Sequence, residues 1–281
     1  MKKKQNSSVA VKAVIYIVCI LLAVLSIIPF WVMIVNATRS TAQIQESAFS
    51  LIPRDYTLTN WSYLKGRSFD PIKGFINSMI VSGGATLCAV YFSTLTAYAL
   101  VVYRWKFRQS FFGFIMGWMM IPAQVTTIGF YQFMYRIHMT NSFIPLIIPA
   151  IAAPATVFFM RQYMQGALQV DIVNSARIDG GKEFYIFNRI ILPIMKPAIA
   201  TQAIFTFVNN WNQLFMPMIL LTDKSKYTMP IMVSQLNGDI YKTEYGAIYL
   251  GLTLTVIPLF VVYFVLSKYI IAGVALGGVK E

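Results

Sequence analysis

The chain has 281 residues, of which 57% are hydrophobic and only 12% charged, about half the charged share of an ordinary soluble domain. That balance excludes a soluble globular domain and implies a polytopic membrane protein. The net charge of +13 would suit a nucleic-acid partner in a soluble protein, but here it fits basic loops that meet anionic lipid heads.

The N-terminus, Met1-Lys2-Lys3-Lys4, precedes a first apolar span near 13–35. No clean small-residue cleavage site follows, and Ile28-Pro29-Phe30-Trp31 runs on into more apolar sequence, so the segment reads as an uncleaved signal anchor and a peripheral strap. Residues 36–74 are moderately polar, and Asn60-Trp61-Ser62-Tyr63-Leu64 reads as a small ordered loop on the membrane face. Five more spans follow near 75–102, 111–134, 143–164, 198–220 and 246–272. Each can cross roughly 30 Å of hydrocarbon at about 1.5 Å per residue. Pro122, Pro145, Pro149 and Pro154 predict kinks or interruptions. Cys19 and Cys88 fall within spans and read as packing residues. The expected organisation is an N-terminal segment 1–74, a transmembrane core 75–272 that includes a 165–197 loop, and a tail 273–281.

The lysines and arginines set the orientation. Fourteen of the 23 lie in the N-terminus, the 103–110 loop, the 161–197 loop and the tail; nine lie in the opposite segments. The compact basic turn Tyr103 to Arg108 is the clearest signal, because short loops carry the topological bias best. Both termini and the 161–197 loop are therefore expected inside. The segment 221–245 lies outside and is too polar to span; Asn237-Gly238-Asp239 within it is a turn signal.

Chemical constellations are sparse. The single histidine, His138, sits in a short outside loop, and no ligand set has metal spacing. The only Gly-Lys pair, Gly181-Lys182, is followed by Glu183 and lacks the earlier glycine of a phosphate loop. No aspartate or glutamate falls inside a span, which argues against a proton or sodium relay. Without a phosphate loop, any energy comes from a separate subunit or an ion gradient, and the missing carboxylates favour an externally driven gate. Uncharged polar residues are more numerous: Gln124, Thr126, Thr127 and Gln132 in the third span, and Asn209, Asn210, Asn212 and Gln213 around Trp211 in the fifth. Amides bond hydroxyl groups without carrying charge and a tryptophan face can stack on a sugar ring; hydrogen bonding between helices accounts for each residue taken singly.

The segment 170–193, VDIVNSARIDGGKEFYIFNRIILP, stands apart. It holds two short amphipathic stretches, one with Ile172, Val173 and Ala176, the other with Phe184, Phe187, Ile190 and Ile191. They are broken at Gly180-Gly181 and closed by Pro193. A helical hairpin of this size cannot bury both apolar faces alone and must dock on something. Asp179 is expected to cap the turn at Gly180 or to pair with Arg177 or a partner's basic residue.

The spacing Asn174-Ser175-Ala176, three residues, Gly180, nine residues, Ile190, one residue, Leu192-Pro193 resembles the E-A-A loop of ABC importer permeases. Asn174 stands in the glutamate position and Ser175 in that of the first alanine. Trp211-Asn212-Gln213-Leu214-Phe215 with Pro217 is similar to the W-N-E-F-x-x-P segment of sugar-importer permeases, Lys226 to Pro230 to their K-Y-T-L-P run, and the tail from Gly273 to their closing G-x-x-x-G-A-V-K-G. The resemblance covers nearly the whole chain and points to the maltose-type second permease of the carbohydrate uptake family.

That resemblance implies an all-α type I ABC importer permease fold with six transmembrane helices and cytoplasmic coupling helices, in a bacterial cell membrane. It implies a subunit that is not itself an enzyme. It implies as partners a second permease, two ATPase subunits that hold ATP and Mg, and an extracytoplasmic solute-binding protein. Asn174, Ser175, Ala176, Asp179, Gly180, Phe184 and Phe187 would meet the ATPase. Gln235, Asn237, Gly238 and Asp239 would meet the binding protein. Gln124, Thr127, Asn209, Asn210, Trp211 and Asn212 would line the path of a di- or oligosaccharide. The alternatives are an importer for a polyol or glycerol phosphate ester and a stand-alone secondary carrier.

Overall fold

The computed structural model describes residues 2–66, 69–236 and 243–278, with side chains at 11–65, 69–122, 125–236 and 243–265. The described residues are helical, with no strand among them. They pack as two units, one made of 1–71 and 233–257, the other of 72–232 and 258–281. Residues 233–257 thus group with the N-terminal segment rather than with the core in which the sequence placed them.

In the first unit, helix α1 (Lys2–Ala37) is 36 residues long with Pro29 inside it. Its apolar stretch Val11–Ala37 is long enough to span a bilayer, and none of its most apolar window is buried, as a strap that relies on outside partners or lipid would be. Helix α2 (Thr41–Glu46) starts at a capping box: the Ser40 hydroxyl accepts from the Gln43 N–H, and the Gln43 side chain accepts from the Ser40 N–H. Residues 60–64 are not a loop but part of helix α3 (Thr57–Gly66). The side-chain amide of Asn60 explains the difference: it is buried and donates to the carbonyls of Ala37 and Arg39 at 2.9 and 3.0 Å. Arg39, also buried, donates to the Asn36 side chain and to the carbonyls of Ser47 and Gln43.

In the second unit, helix α4 (Pro71–Val102) buries a face of small residues, among them Gly74, Ser78, Ser82, Ala85, Ala89, Ser93 and Ala97. Small side chains let neighbours approach closely: a Cβ at Gly74 would meet the sulfur atoms of Met232 and Met229 at 2.8 and 2.9 Å. The expected third span is not one helix. It divides into α5 (Arg108–Trp118) and α6 (Ala123–Arg136), with Pro122 as the N-cap of the second. The fourth is interrupted in the same way: α7 (Ile144–Ile147) carries Pro145, Pro149 sits in a 3₁₀ turn, and Pro154 begins α8 (Pro154–Ala167). Proline at a helix start loses nothing, because its missing N–H has no intrahelical partner there.

Beyond α8 the chain forms α9 (Val170–Ile178), α10 (Glu183–Ile186), a π-helical turn Phe187–Ile191 and α11 (Leu192–Ile194). It then bends by 79° into α12 (Lys196–Trp211). Helix α13 (Phe215–Leu220) follows, then α14 (Met229–Leu236) and α15 (Tyr245–Gly278), which has Pro258 inside it. The Lys226-to-Pro230 run is tied to α4. The Asn77 amide donates to the carbonyls of Ser225 and Tyr227, and the Ser78 hydroxyl accepts from the Met229 N–H. Of the six expected spans, four are long apolar stretches among the described residues, and the bent pair ending in α12 supplies a fifth.

Candidate coupling loop

The loop between α8 and α12 has an inner and an outer face. On the inner face, Val173, Ile186, Phe187, Ile191 and Met195 are buried in one cluster with Val90, Ala97, Tyr98 and Val102 of α4 and Met160, Met164 and Leu168 of α8 and its end. Part of what the hairpin must dock on is therefore its own bundle. On the outer face, Ile172, Ile178, Phe184 and Tyr185 are exposed, Ile178 by 86% and Phe184 by 69%. Phe184 and Phe187 share an apolar stripe in the sequence, but only Phe184 faces outward; Phe187 is 1% exposed.

The turn at Gly180 is closed by the backbone. The N–H of Gly181 donates to the Ala176 carbonyl at 2.9 Å and that of Gly180 to the Arg177 carbonyl at 3.0 Å, the paired bonds of a Schellman motif. Gly180 sits at φ +81°, in the left-handed region that side chains resist. A Cβ on Gly181 would approach the Ala176 carbonyl to 2.7 Å. Asp179 is the C-cap residue, and its N–H donates to the Ser175 carbonyl. Its carboxylate takes no hydrogen bond among the described residues, so the expected side-chain cap is replaced by main-chain bonds. Nor does Asp179 hold Arg177. Glu183 reaches back across the turn instead.

Glu183 is the residue that sequence reasoning missed. Its Oε1 accepts from Arg177 Nε at 2.6 Å, and its Oε2 accepts from the Tyr98 hydroxyl of α4 at 2.8 Å. Arg177 also donates through Nη1 to the Asn174 side-chain oxygen at 3.3 Å. Its guanidinium lies 5.2 Å from the centre of the Tyr103 ring. Asn174 thus keeps a hydrogen bond in the glutamate position while the carboxylate comes from residue 183. The hydrogen bond from Arg177 holds Glu183 down at about 2, with the hydroxyls of Tyr103 and Tyr98 assisting against the cost of burial. Arg177 lies outside every candidate span, and Glu183 is the first residue of the bent pair. They are six positions apart, and the closed glycine turn brings them within reach.

The other expected site residues are dispersed. Ser175 is exposed and Ala176 half-buried against the core cluster. Trp211 does not present a face to a sugar. It is 1% exposed, stacked on Phe207 at 5.5 Å and edge-on to Phe75 at 5.9 Å, so its ring is packing. Asn210 turns its amide back onto the Thr206 carbonyl. Asn209 and Asn212 are exposed on the opposite stripe of α12 with Phe205, and Thr127 is half-buried in α6. Gln124 occupies the first turn of α6, and its side chain lies outside the described residues. Gln235 is exposed near the end of α14; Asn237, Gly238 and Asp239 lie outside the described residues.

The family profile of the binding-protein-dependent transport system inner membrane component matches residues 89–275. The chain belongs to that family. The arabinooligosaccharide transport system permease protein AraQ of Halalkalibacterium halodurans is 32% identical over 92% of this chain and 93% of its own length. The lactose transport system permease protein LacG of Rhizobium radiobacter is 29% identical over 94% and 95%. The sn-glycerol-3-phosphate transport system permease protein UgpE of Escherichia coli is 28% identical over 87% and 89%. A solved bacterial ABC transporter involved in the import of the acidic polysaccharide alginate superposes with a TM-score of 0.78 at 20% identity, covering 94% of this chain and 98% of that one. The protein is thus a multi-pass inner-membrane transport component of the ABC importer type, and the fold is that of an importer permease. The match spans the whole second unit up to residue 275 except its first seventeen residues, and the loop with its Arg177–Glu183–Tyr98 contacts falls inside it.

Proposed function

We propose that this chain is one of two unlike permease subunits of an ATP-driven importer of di- or oligosaccharides. The loop 170–193 is the plug by which a separate ATPase drives it. One observation carries the reading: the loop is cemented to its own bundle on one side and offers Ile172, Ile178, Phe184 and Tyr185 on the other. Exposed apolar side chains beside the Arg177–Glu183 pair call for a protein partner. In this reading both termini and the loop are cytoplasmic, and ATP with its magnesium belongs to two ATPase subunits. Closure of those subunits moves the loop and turns the cavity outward, and hydrolysis returns it. Gln235 and the segment after it meet an extracytoplasmic binding protein. Asn209 and Asn212, exposed on α12, offer hydrogen bonds to sugar hydroxyls.

The sugar specificity is supported by the oligosaccharide and lactose permeases among the relatives. The glycerol-phosphate permease supports the second reading, a phosphate ester as cargo. The test is purification of the chain with its associates before and after Phe184→Asp, followed by uptake assays with labelled lactose, an arabinooligosaccharide and glycerol 3-phosphate. Loss of the ATPase from the purified complex and loss of uptake together are the expected result. Uptake by the chain without any ATPase would overturn the reading in favour of a secondary carrier. Uptake of glycerol 3-phosphate alone would replace the sugar with the ester.

A further inference from the structure

The coupling reading leaves open how a push on the loop's outer face reaches the spans. Apolar contact alone is non-directional. Between the loop and α4 the Tyr91 hydroxyl donates to Asn188 Oδ1 at 3.3 Å, and one longer polar chain crosses the turn: Asn174 to Arg177, Arg177 to Glu183 at 2.6 Å, and Glu183 to the Tyr98 hydroxyl at 2.8 Å. It joins the two halves of the hairpin across the Gly180 turn and then joins both to α4. The Tyr98 ring is fixed at its other end. It is 3% exposed, 5.7 Å from the Phe187 ring and 5.8 Å from that of Tyr103. With its ring packed in the buried cluster and its hydroxyl held by a carboxylate, Tyr98 gives the link between loop and α4 a fixed direction.

We infer that the Arg177–Glu183–Tyr98 chain is the strut that carries movement of the loop into α4, with Glu183 as its positioning residue. This inference rests on the coupling reading above. It predicts that α4 follows the loop only while the carboxylate of Glu183 bonds both Arg177 and the Tyr98 hydroxyl. Arg177 and Glu183 are partly exposed, with side-chain exposures of 32% and 44%, so the pair adds little to folding. The pair's place across the turn is therefore accounted for by geometry rather than by stability.

The test uses the complex as purified with its ATPase, after Cys19→Ser and Cys88→Ser. Spin labels are placed at Asp171→Cys on α9 and Leu87→Cys on α4, both exposed positions. Mg-ATP with vanadate is the trigger, so no transported solute is needed. In the otherwise unaltered chain both labels respond. In Tyr98→Phe, which keeps the ring and removes one hydroxyl, the α9 label responds as before and the α4 response falls to about a fifth. Glu183→Gln behaves likewise, and Glu183→Asp recovers part of the response. An undiminished α4 response in Tyr98→Phe overturns the strut, and so does equal loss at both labels, which would mean that the loop has merely come loose. An α9 label silent even without these substitutions overturns the coupling reading itself. Tyr98→Phe decides the matter if Glu183→Gln does not assemble.

Discussion

Two arginines outside the spans are held in opposite ways. Arg39, in the first unit, is 7% exposed and satisfied by the Asn36 side chain and two main-chain carbonyls. Around it Asn60 fastens the carbonyls of Ala37 and Arg39, and Thr41 donates to Glu244 at 2.8 Å. Arg177 is a third exposed, meets a carboxylate and an amide side chain, and stands beside an exposed apolar face. Neutral carbonyls hold a buried cation where the backbone is already fixed, so the first knot is a fastening. A carboxylate on a partly wet side chain gives a contact that turns with its helix. The first arrangement suits a static join, the second a moving one.

The contrast is broken most severely at Gly246. A Cβ there would run into the Arg39 carbonyl and lie 2.5 Å from the Asn60 amide nitrogen. Gly246→Leu should cost several kcal/mol, about 3 or more, seen as loss of monodisperse protein on size-exclusion chromatography. Asn60→Ala leaves two buried carbonyls without donors and should lower stability by about 2 kcal/mol, read from the thermal midpoint of purified protein. At the loop, Gly180→Val forces a branched side chain to a positive φ but into open space. It should cost about 1–2 kcal/mol and weaken ATPase co-purification while the chain still accumulates in the membrane. If Gly180→Val proved as damaging as Gly246→Leu, the loop would be a fastening too.

Smaller effects sharpen the comparison. The pKa of Glu183 is depressed to about 2 from 4.5. Its contribution is therefore present above about 4.5 and is lost as pH falls from there towards 2. Thermal midpoints of the parent chain and Glu183→Gln should differ at neutral pH and converge as the pH drops through that window. A constant difference would mean that the carboxylate charge is not what matters. Asn174→Glu is the mildest change. It offers Arg177 a second carboxylate at an exposed position and should alter stability by under about 0.5 kcal/mol, while partly compensating Glu183→Ala in ATPase co-purification.

Much of this was legible in the sequence. Composition alone announced the spans, and the prolines at 122, 145, 149 and 154 do mark the interruptions. Gly180 was readable because few other residues tolerate its backbone angle. What escaped depends on contacts across the chain. Asp179 is nearer to Arg177 in sequence than Glu183 is, but neighbours two apart point away from each other on a helix. The returning turn favours 183. Residues 60–64 looked like a loop because their amide and hydroxyl groups are polar; the partners of Asn60 lie more than 20 residues earlier. Phe184 and Phe187 keep helical spacing, yet one is exposed and the other lies in the core cluster. Trp211 carried a suggestive aromatic face, and only packing against Phe207 and Phe75 assigned it.

The Schellman closure of the loop has a practical consequence. Because the turn is fastened by main-chain atoms, the outward side chains at 175, 178 and 179 take no part in holding it. They form a replaceable label on a fixed fitting. On the proposed coupling reading, the same backbone would be matched to a different ATPase by exchanging those three side chains, with the hairpin's fold and its seat against α4 and α8 left as they are.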